Sequence, residues 1–248
     1  MNNHQASRYE LKYLVTEAQA LAIRQHVLTH LKPDANTEMN SIGYRVQSLY
    51  LDSRKLTCYT QTMQGFKNRF KLRIRFYDDK PDSPVFLEIK RRVTNVIQKK
   101  RAMVDRQSGE AILRGERPDP AMLLNDTPTE RDALDRFCKL KDEVGAVGKV
   151  FVDYYREAFQ CGGANHYRVT FDRNVRGSNY VLGNGLRLPE RSEMAKIPGV
   201  VLEMKYVEKP APWMIDIARR FHIERTSVPK YVECVDVVKN SSGVLMEF

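Results

Sequence analysis

The sequence predicts an α+β fold that is mainly β: an antiparallel sheet or barrel with helices attached. Three observations lead there. Eight segments alternate apolar and polar residues with the period of two that a half-buried strand requires. Only three stretches carry helix caps or a helical apolar stripe, and the strands do not alternate with helices as a parallel sheet would demand. The 248 residues suffice for a sizeable core and are read as one domain, 1–248.

The alternating segments are Arg8–Val15, Tyr44–Asp52, Arg69–Asp78, Val85–Arg92, Lys99–Asp105, Lys149–Phe159, Tyr167–Asn174 and Gly199–Val207. After the first, Thr16 and Gln19 have capping-box spacing, and Leu21, Ile23, Val27, Leu28 and Leu31 give an apolar stripe, so a helix follows. Thr127, Pro128 and Glu130 open a second helix with the same box and a proline in the first helical position. Pro212–Phe221, with Trp213, Ile217 and Phe221 on neighbouring turns, makes a third. Asp78–Ser83, Arg114–Thr129 and Asn174–Ile197 read as loops from their Pro, Gly, Asp and Asn content.

Lysine and arginine number 41 against 31 Asp and Glu, a formal charge of +10, which points to an anionic partner. Cys58, Cys138, Cys161 and Cys234 are scattered, with no CxxC pair, and are expected as reduced thiols. The first residues carry no apolar leader and no run approaches the ~18 residues of a membrane span. A cytoplasmic protein is expected. His26 and His30 have helical i, i+4 spacing, but without a metal-binding context they are read as a solvated face, and Asp52 as a cap for the turn after its strand.

The strand at "RFKLRIRFY" sets Arg69, Lys71, Arg73, Arg75 and Tyr77 on one face and Phe70, Leu72, Ile74 and Phe76 on the other. The same design recurs. Phe86, Glu88, Lys90 and Arg92 share a face, as do His166, Arg168, Thr170 and Asp172; Arg8, Glu10 and Lys12; Glu203 and Lys205; and Tyr154, Arg156 and Ala158. Each strand alone fits a sheet half in water. As a set, these faces hold Arg and Lys with an occasional Glu rather than the usual mixture of polar residues. A flat basic sheet would suit nucleic acid, but single-strand binders interleave aromatics with the cations, and here most aromatics fall on the apolar faces. The pattern favours a barrel with its cations turned inward. Such an interior needs a polyanion, because confined like charges repel and lose hydration. Arginine forks and lysine point charges suit phosphate oxygens. Carboxylates among them suit a hard divalent cation.

The motifs "RYELKY", "SLYLDS", "KLRIRFY", "FLEIKRR", "YREAFQ", "RVTFDRNV", "LEMKY" and "SVPKY", spread from Arg8 to Tyr231, resemble those of the triphosphate tunnel metalloenzymes of the CYTH-like superfamily. They are most similar to the VTC branch, the catalytic domain of the vacuolar transporter chaperone polyphosphate polymerase and its bacterial relatives. Arg8 stands where the usual signature has its first Glu, a departure also similar to VTC. The resemblance implies an eight-stranded antiparallel triphosphate-tunnel barrel with flanking helices. It implies phosphate-binding roles for Lys12, Arg73, Arg75, Lys90, Arg156, Arg168 and Lys230, and substrate contacts from Tyr154, with Lys71 extending the basic row and Lys99, Lys100 or Arg101 adding to it. Glu203 matches the metal-binding Glu for Mn²⁺ or Mg²⁺, assisted by Glu88 or Glu10. The activity implied is transfer of a phosphoryl group from ATP to inorganic polyphosphate. Triphosphate hydrolysis on the same scaffold and a non-catalytic polyphosphate- or nucleotide-binding module are the alternatives. No nucleic-acid partner is expected.

Overall fold

All eight alternating segments form strands. The computed structural model describes residues 8–39, 43–94, 96–161 and 166–242, apart from the side chains of Arg8 and Ser242; the leader-free reading of residues 1–7 concerns residues outside this range. The order is β1 (Arg8–Val15), α1 (Glu17–Leu28), β2 (Lys32–Pro33), α2 (Ala35–Met39), β3 (Tyr44–Asp52), α3 (Thr57–Met63), β4 (Asn68–Phe76), β5 (Val85–Val93), β6 (Val96–Val104), α4 (Arg106–Arg114), α5 (Pro128–Glu143), β7 (Val147–Gln160), β8 (Arg168–Asn179), β9 (Glu193–Met194), β10 (Val200–Val207), α6 (Pro212–Arg220) and α7 (Lys230–Ser242). The eight long strands make one antiparallel path, β1-β10-β8-β7-β3-β4-β5-β6. Its ends approach one another, and Lys90 on β5 reaches Glu10 on β1 at 3.0 Å. Among the described residues no backbone ladder joins β1 to β6, so the sheet curls without being hydrogen-bonded shut.

Period-two alternation sorts the side chains into layers. The outward residues Leu49, Leu72, Ile74, Leu87 and Ile89 pack under α4 and α5. Tyr13, Phe159, Phe171, Leu202 and Met204 pack under α1 and α6. A third apolar cluster lies inside the curl, where Val46 and Tyr50 of β3 and Val150, Val152 and Tyr154 of β7 meet Tyr231, Val232, Val235 and Val238 of α7. One end of the interior is thus filled by a helix. Asp52 holds that end together: its carboxylate accepts from the Ser53, Cys58 and Tyr59 amides at 2.7, 2.9 and 2.9 Å and from the Tyr231 hydroxyl at 2.7 Å. It holds the turn after β3, as expected, and also ties the start of α3 and Tyr231 of α7 to β3.

The sequence reading needs four corrections. α2, α3, α4 and α7 were not expected, and Asp105 ends its strand by capping α4, accepting from the Ser108 amide at 2.8 Å. On α1 the buried stripe is Ala20, Ile23 and Val27, continued by Leu31, while Leu21 and Leu28 lie exposed on its flank. Glu130 does not reach back to its cap; its carboxylate accepts from the Met103 amide of β6 at 3.0 Å, anchoring α5 to the sheet. The loop begun at Asn174 is strand as far as Asn179. It contains a bulge at Asn174, whose φ of 52° lies in the left-handed region.

The bulge turns Gly177 toward α7. A Cβ there would lie 2.8 Å from Cys234 Cβ and 3.0 Å from its Cα and carbonyl oxygen, too close for any side chain. Gly177→Ala must therefore push α7 off its seat, and is expected to lower stability by about 1–3 kcal/mol in urea denaturation. An unchanged midpoint would mean that α7 is not packed this tightly.

Candidate functional site

The unfilled end of the interior is a cavity of about 850 Å³. Among the described residues, fifteen lysines and arginines line it against two glutamates. Even with Glu88 and Asp172, buried behind that lining, positive charge prevails several-fold. The charges gather in two clusters. In the first, Glu88, 1% exposed, accepts from Arg73 Nε at 2.7 Å and faces Lys99 Nζ at 2.5 Å. Arg73 also donates to the Tyr50 hydroxyl at 2.9 Å, and Arg75 to the Tyr154 hydroxyl at 3.2 Å. Arg101 lies over the Phe86 ring, 3.5 Å from its centroid, and 3.9 Å from Glu88.

The second cluster centres on Glu203, whose carboxylate lies 3.2 Å from Lys12, 2.7 Å from Lys205, 3.0 Å from Lys230 and 3.5 Å from Arg156. Arg156 forks onto Asp172 at 2.6 and 2.7 Å, and Lys230 joins the same carboxylate at 2.6 Å. Glu10 bridges Lys12 and Lys90 at 3.2 and 3.0 Å. Local geometry sets these positions. Lys230 is the first residue of α7, so its ammonium and the helix N-terminus enter the cavity together. Gly43, at φ +94°, lets the backbone pass where a Cβ would lie 2.5 Å from the Arg156 carbonyl oxygen.

Burial raises the pKa of every one of these carboxyls, and the surrounding cations reverse it. Arg73, Arg75 and Lys99 hold Glu88 well below the usual range; Lys12, Lys205, Lys230 and Arg156 do the same for Glu203. Glu10 and Asp172 are also lowered, the first mainly by Lys90, the second by Arg156 and Lys230. In turn, Asp172 and Glu203 raise Lys230 against its burial. Lys99, where burial outweighs Glu88, is lowered to about 7.

Of the residues expected from sequence, Lys12, Lys71, Arg73, Arg75, Lys90, Arg101, Tyr154, Arg156, Arg168, Lys230, Glu10 and Glu203 line the cavity. Arg168 sits at its rim, held at 2.7 Å by Asp34 and by Gln160 at 2.6 Å. Lys100 does not join them. Its strand alternates, so Lys99 and Arg101 face inward while Lys100 pairs outward with Asp132 of α5. Glu88 belongs to a different cluster from Glu203, with no cation pairing to both among the described residues; Glu10, which shares Lys12 with Glu203, is the better-placed companion. Sequence reasoning missed the roles of Asp172, Lys205 and Tyr50, although Asp172 shares its face with Arg168, and Lys205 with Glu203.

Among the described residues no three of His, Cys, Asp and Glu gather into a metal cage. The oxygen donors still fit Mn²⁺ or Mg²⁺ arriving with phosphate, since such ions commonly take one or two carboxylates and complete their shell from substrate. Glu203 and Glu10 are kept ionised, and Thr170 Oγ1, fully buried without a hydrogen-bond partner, lies directly across the ladder from Glu203. His26 and His30 stack edge-on with each other, and His30 lies flat on Trp213 at 4.9 Å.

Because the four carboxyls are depressed only when folded, their stabilisation is present above the ordinary Glu value of 4.5 and lost as pH falls below it. The urea midpoint is expected to drop steadily from there to about pH 3, and Glu88→Gln to flatten part of the decline. A wild-type profile flat over that range would show that these pairs contribute nothing.

No curated protein sequence matches the chain. Among solved structures, PH1819 protein from Pyrococcus horikoshii OT3 is similar at 14% identity and a TM-score of 0.45, over 91% of this chain and 96% of its own. A putative adenylyl cyclase, HpAC1 from Hippeastrum, described as having a dominant triphosphatase activity, is similar at 15% identity and a TM-score of 0.47, over 97% of both chains. Among the described residues no helix is long and apolar enough to cross a membrane. A family model for the VTC domain matches residues 7–239, the span that supplies every strand of the sheet and every wall of the cavity, and the chain belongs to the VTC domain family.

Proposed function

We propose that the cavity binds linear phosphate chains and transfers the terminal phosphoryl group of ATP to a growing inorganic polyphosphate. The observation that carries this is the inward excess of fixed cations, with the few carboxylates spent on orienting them. Phosphoryl transfer asks chiefly for alignment and charge neutralisation, because charge spreads over the equatorial oxygens of a loose transition state. Arg73 and Arg75, oriented by Glu88, Tyr50 and Tyr154, would grip oxygens from one wall. Arg156 and Lys230, fixed by Asp172, would grip from the other. Lys12 and Lys90, both on Glu10, would neutralise the neighbouring phosphates, and Arg168 would meet the chain at the rim. Glu203, with Glu10 beside it, would hold Mn²⁺ or Mg²⁺, which would supply further neutralisation of donor oxygens. A phosphate acceptor is already a nucleophile, so polymerisation needs no general base. That suits a site whose carboxylates are all ion-paired.

The test is incubation of the protein with ATP and Mn²⁺ or Mg²⁺, resolving polyphosphate on a stained gel and assaying free phosphate in the same tubes. Wild type is expected to give long chains, Glu203→Ala none. Arg75→Ala, which removes a cation held against Tyr154 and Ser48, is expected to slow synthesis roughly 10²–10³-fold. Free phosphate without chains, from ATP or tripolyphosphate, would make the protein a hydrolase. Tight triphosphate binding with neither product would make it a binding module.

A further inference from the structure

The inner face of β4, β5 and β6 is ordered in cross-strand rows. One row sets Arg73 against Glu88 and Glu88 against Arg101, a carboxylate between two cations. The next sets Lys71 against Lys90 and Lys90 against Lys99, and beyond it Arg69 faces Arg92. Like charges directly opposite on one face destabilise a ladder. Lys90 is relieved by Glu10 at 3.0 Å and Lys99 by Glu88 at 2.5 Å. Lys71 makes no ion pair and no hydrogen bond among the described residues; its ammonium lies 5.7 Å from the centroid of the Tyr231 ring.

The groups facing Lys71 come from five elements. They are Lys12 on β1, Lys90 on β5, Arg69 on its own strand, Cys58 on α3 and Tyr231 on α7. Three are cations. Burial pushes the Cys58 thiol and the Tyr231 phenol up, and Asp52 beside them pushes the same way, so neither offers a negative charge near neutrality. Lys71 is thus a half-buried amine in a cationic wall with no counter-ion among the described residues.

We infer that Lys71 couples anion binding to proton binding: above neutral pH its amine is neutral without an anion, and a linear phosphate chain seated against β4 draws a proton onto it. This rests on the reading of the cavity as a linear-phosphate site. Burial, then Lys12, Lys90 and Arg69, hold Lys71 down to about 7. Below that pH the amine is charged with or without the anion, and nothing is exchanged. Between about 7 and its ordinary 10.5, the free site lacks a proton that the occupied site carries. Affinity then falls as pH rises, by up to about tenfold per pH unit for one proton. Stability of the anion-free protein moves the other way, because over this window the unfolded chain holds a proton that the folded chain lacks.

Calorimetry of tripolyphosphate binding at about pH 8, in two buffers of different ionisation enthalpy, counts the protons exchanged. The proteins are wild type, Lys71→Arg and Lys71→Met. Protonation of tripolyphosphate itself is common to all three and cancels in the differences. Wild type is expected to take up close to one proton more than either variant. Lys71→Arg should bind with a shallower loss of affinity toward high pH. Lys71→Met should be weaker than wild type at about pH 6.5 and converge on it as pH rises. Binding with equal proton counts in all three proteins overturns the role of Lys71 and leaves the cavity reading standing. No binding of tripolyphosphate by wild type at any pH overturns both.

Discussion

Confinement of like charge is the constraint on which this molecule turns. A curled sheet with apolar residues on its outer face must put its polar residues inside, and here those are mostly cations. Four buried carboxylates make the arrangement foldable. Each is shared among two or more cations, and removing one partner of such a pair typically costs about 3–5 kcal/mol. The carboxylates are too few to neutralise the wall. The remainder of its positive charge is left for something that enters.

The layers around the cavity serve this constraint. α1, α4, α5 and α6 cover the outer apolar faces, leaving the inner faces to the cations. α7 fills one end of the interior with valines and Tyr231 and brings Lys230 to the boundary between packed core and open cavity. Tyrosines finish the transition. Tyr50 and Tyr154 stand with the apolar cluster, yet their hydroxyls accept from Arg73 and Arg75. Guanidinium groups held this way are aimed before any anion arrives, which lowers the cost of binding one.

Much of this was legible because period two is strict. Once β4 was read as a strand, Arg73 and Arg75 had to share a face, and the same logic places Lys12 with Glu10 and Glu203 with Lys205. Where reasoning went by cluster rather than parity it failed: Lys100 was grouped with Arg101, although adjacent residues point to opposite faces. α7 was hidden for a different reason. "KYVECVDVVKN" is rich in β-branched valine, which lowers helix propensity, and it forms a helix because Val232, Val235 and Val238 have a concave apolar surface to cover. The pairing of Asp172 with Arg156 and Lys230 joins residues far apart in sequence. Its face was readable, but its partners depend on β7 lying beside β8 and on where α7 brings Lys230.

The most direct test of the central claim is a crystal structure of the protein with tripolyphosphate. The account predicts a continuous phosphate chain inside the curl, with oxygens on Arg73 and Arg75 from one side and on Arg156 and Lys230 from the other. Tripolyphosphate bound only on the outer surface, with the cavity cations still closed on their own carboxylates, would contradict it.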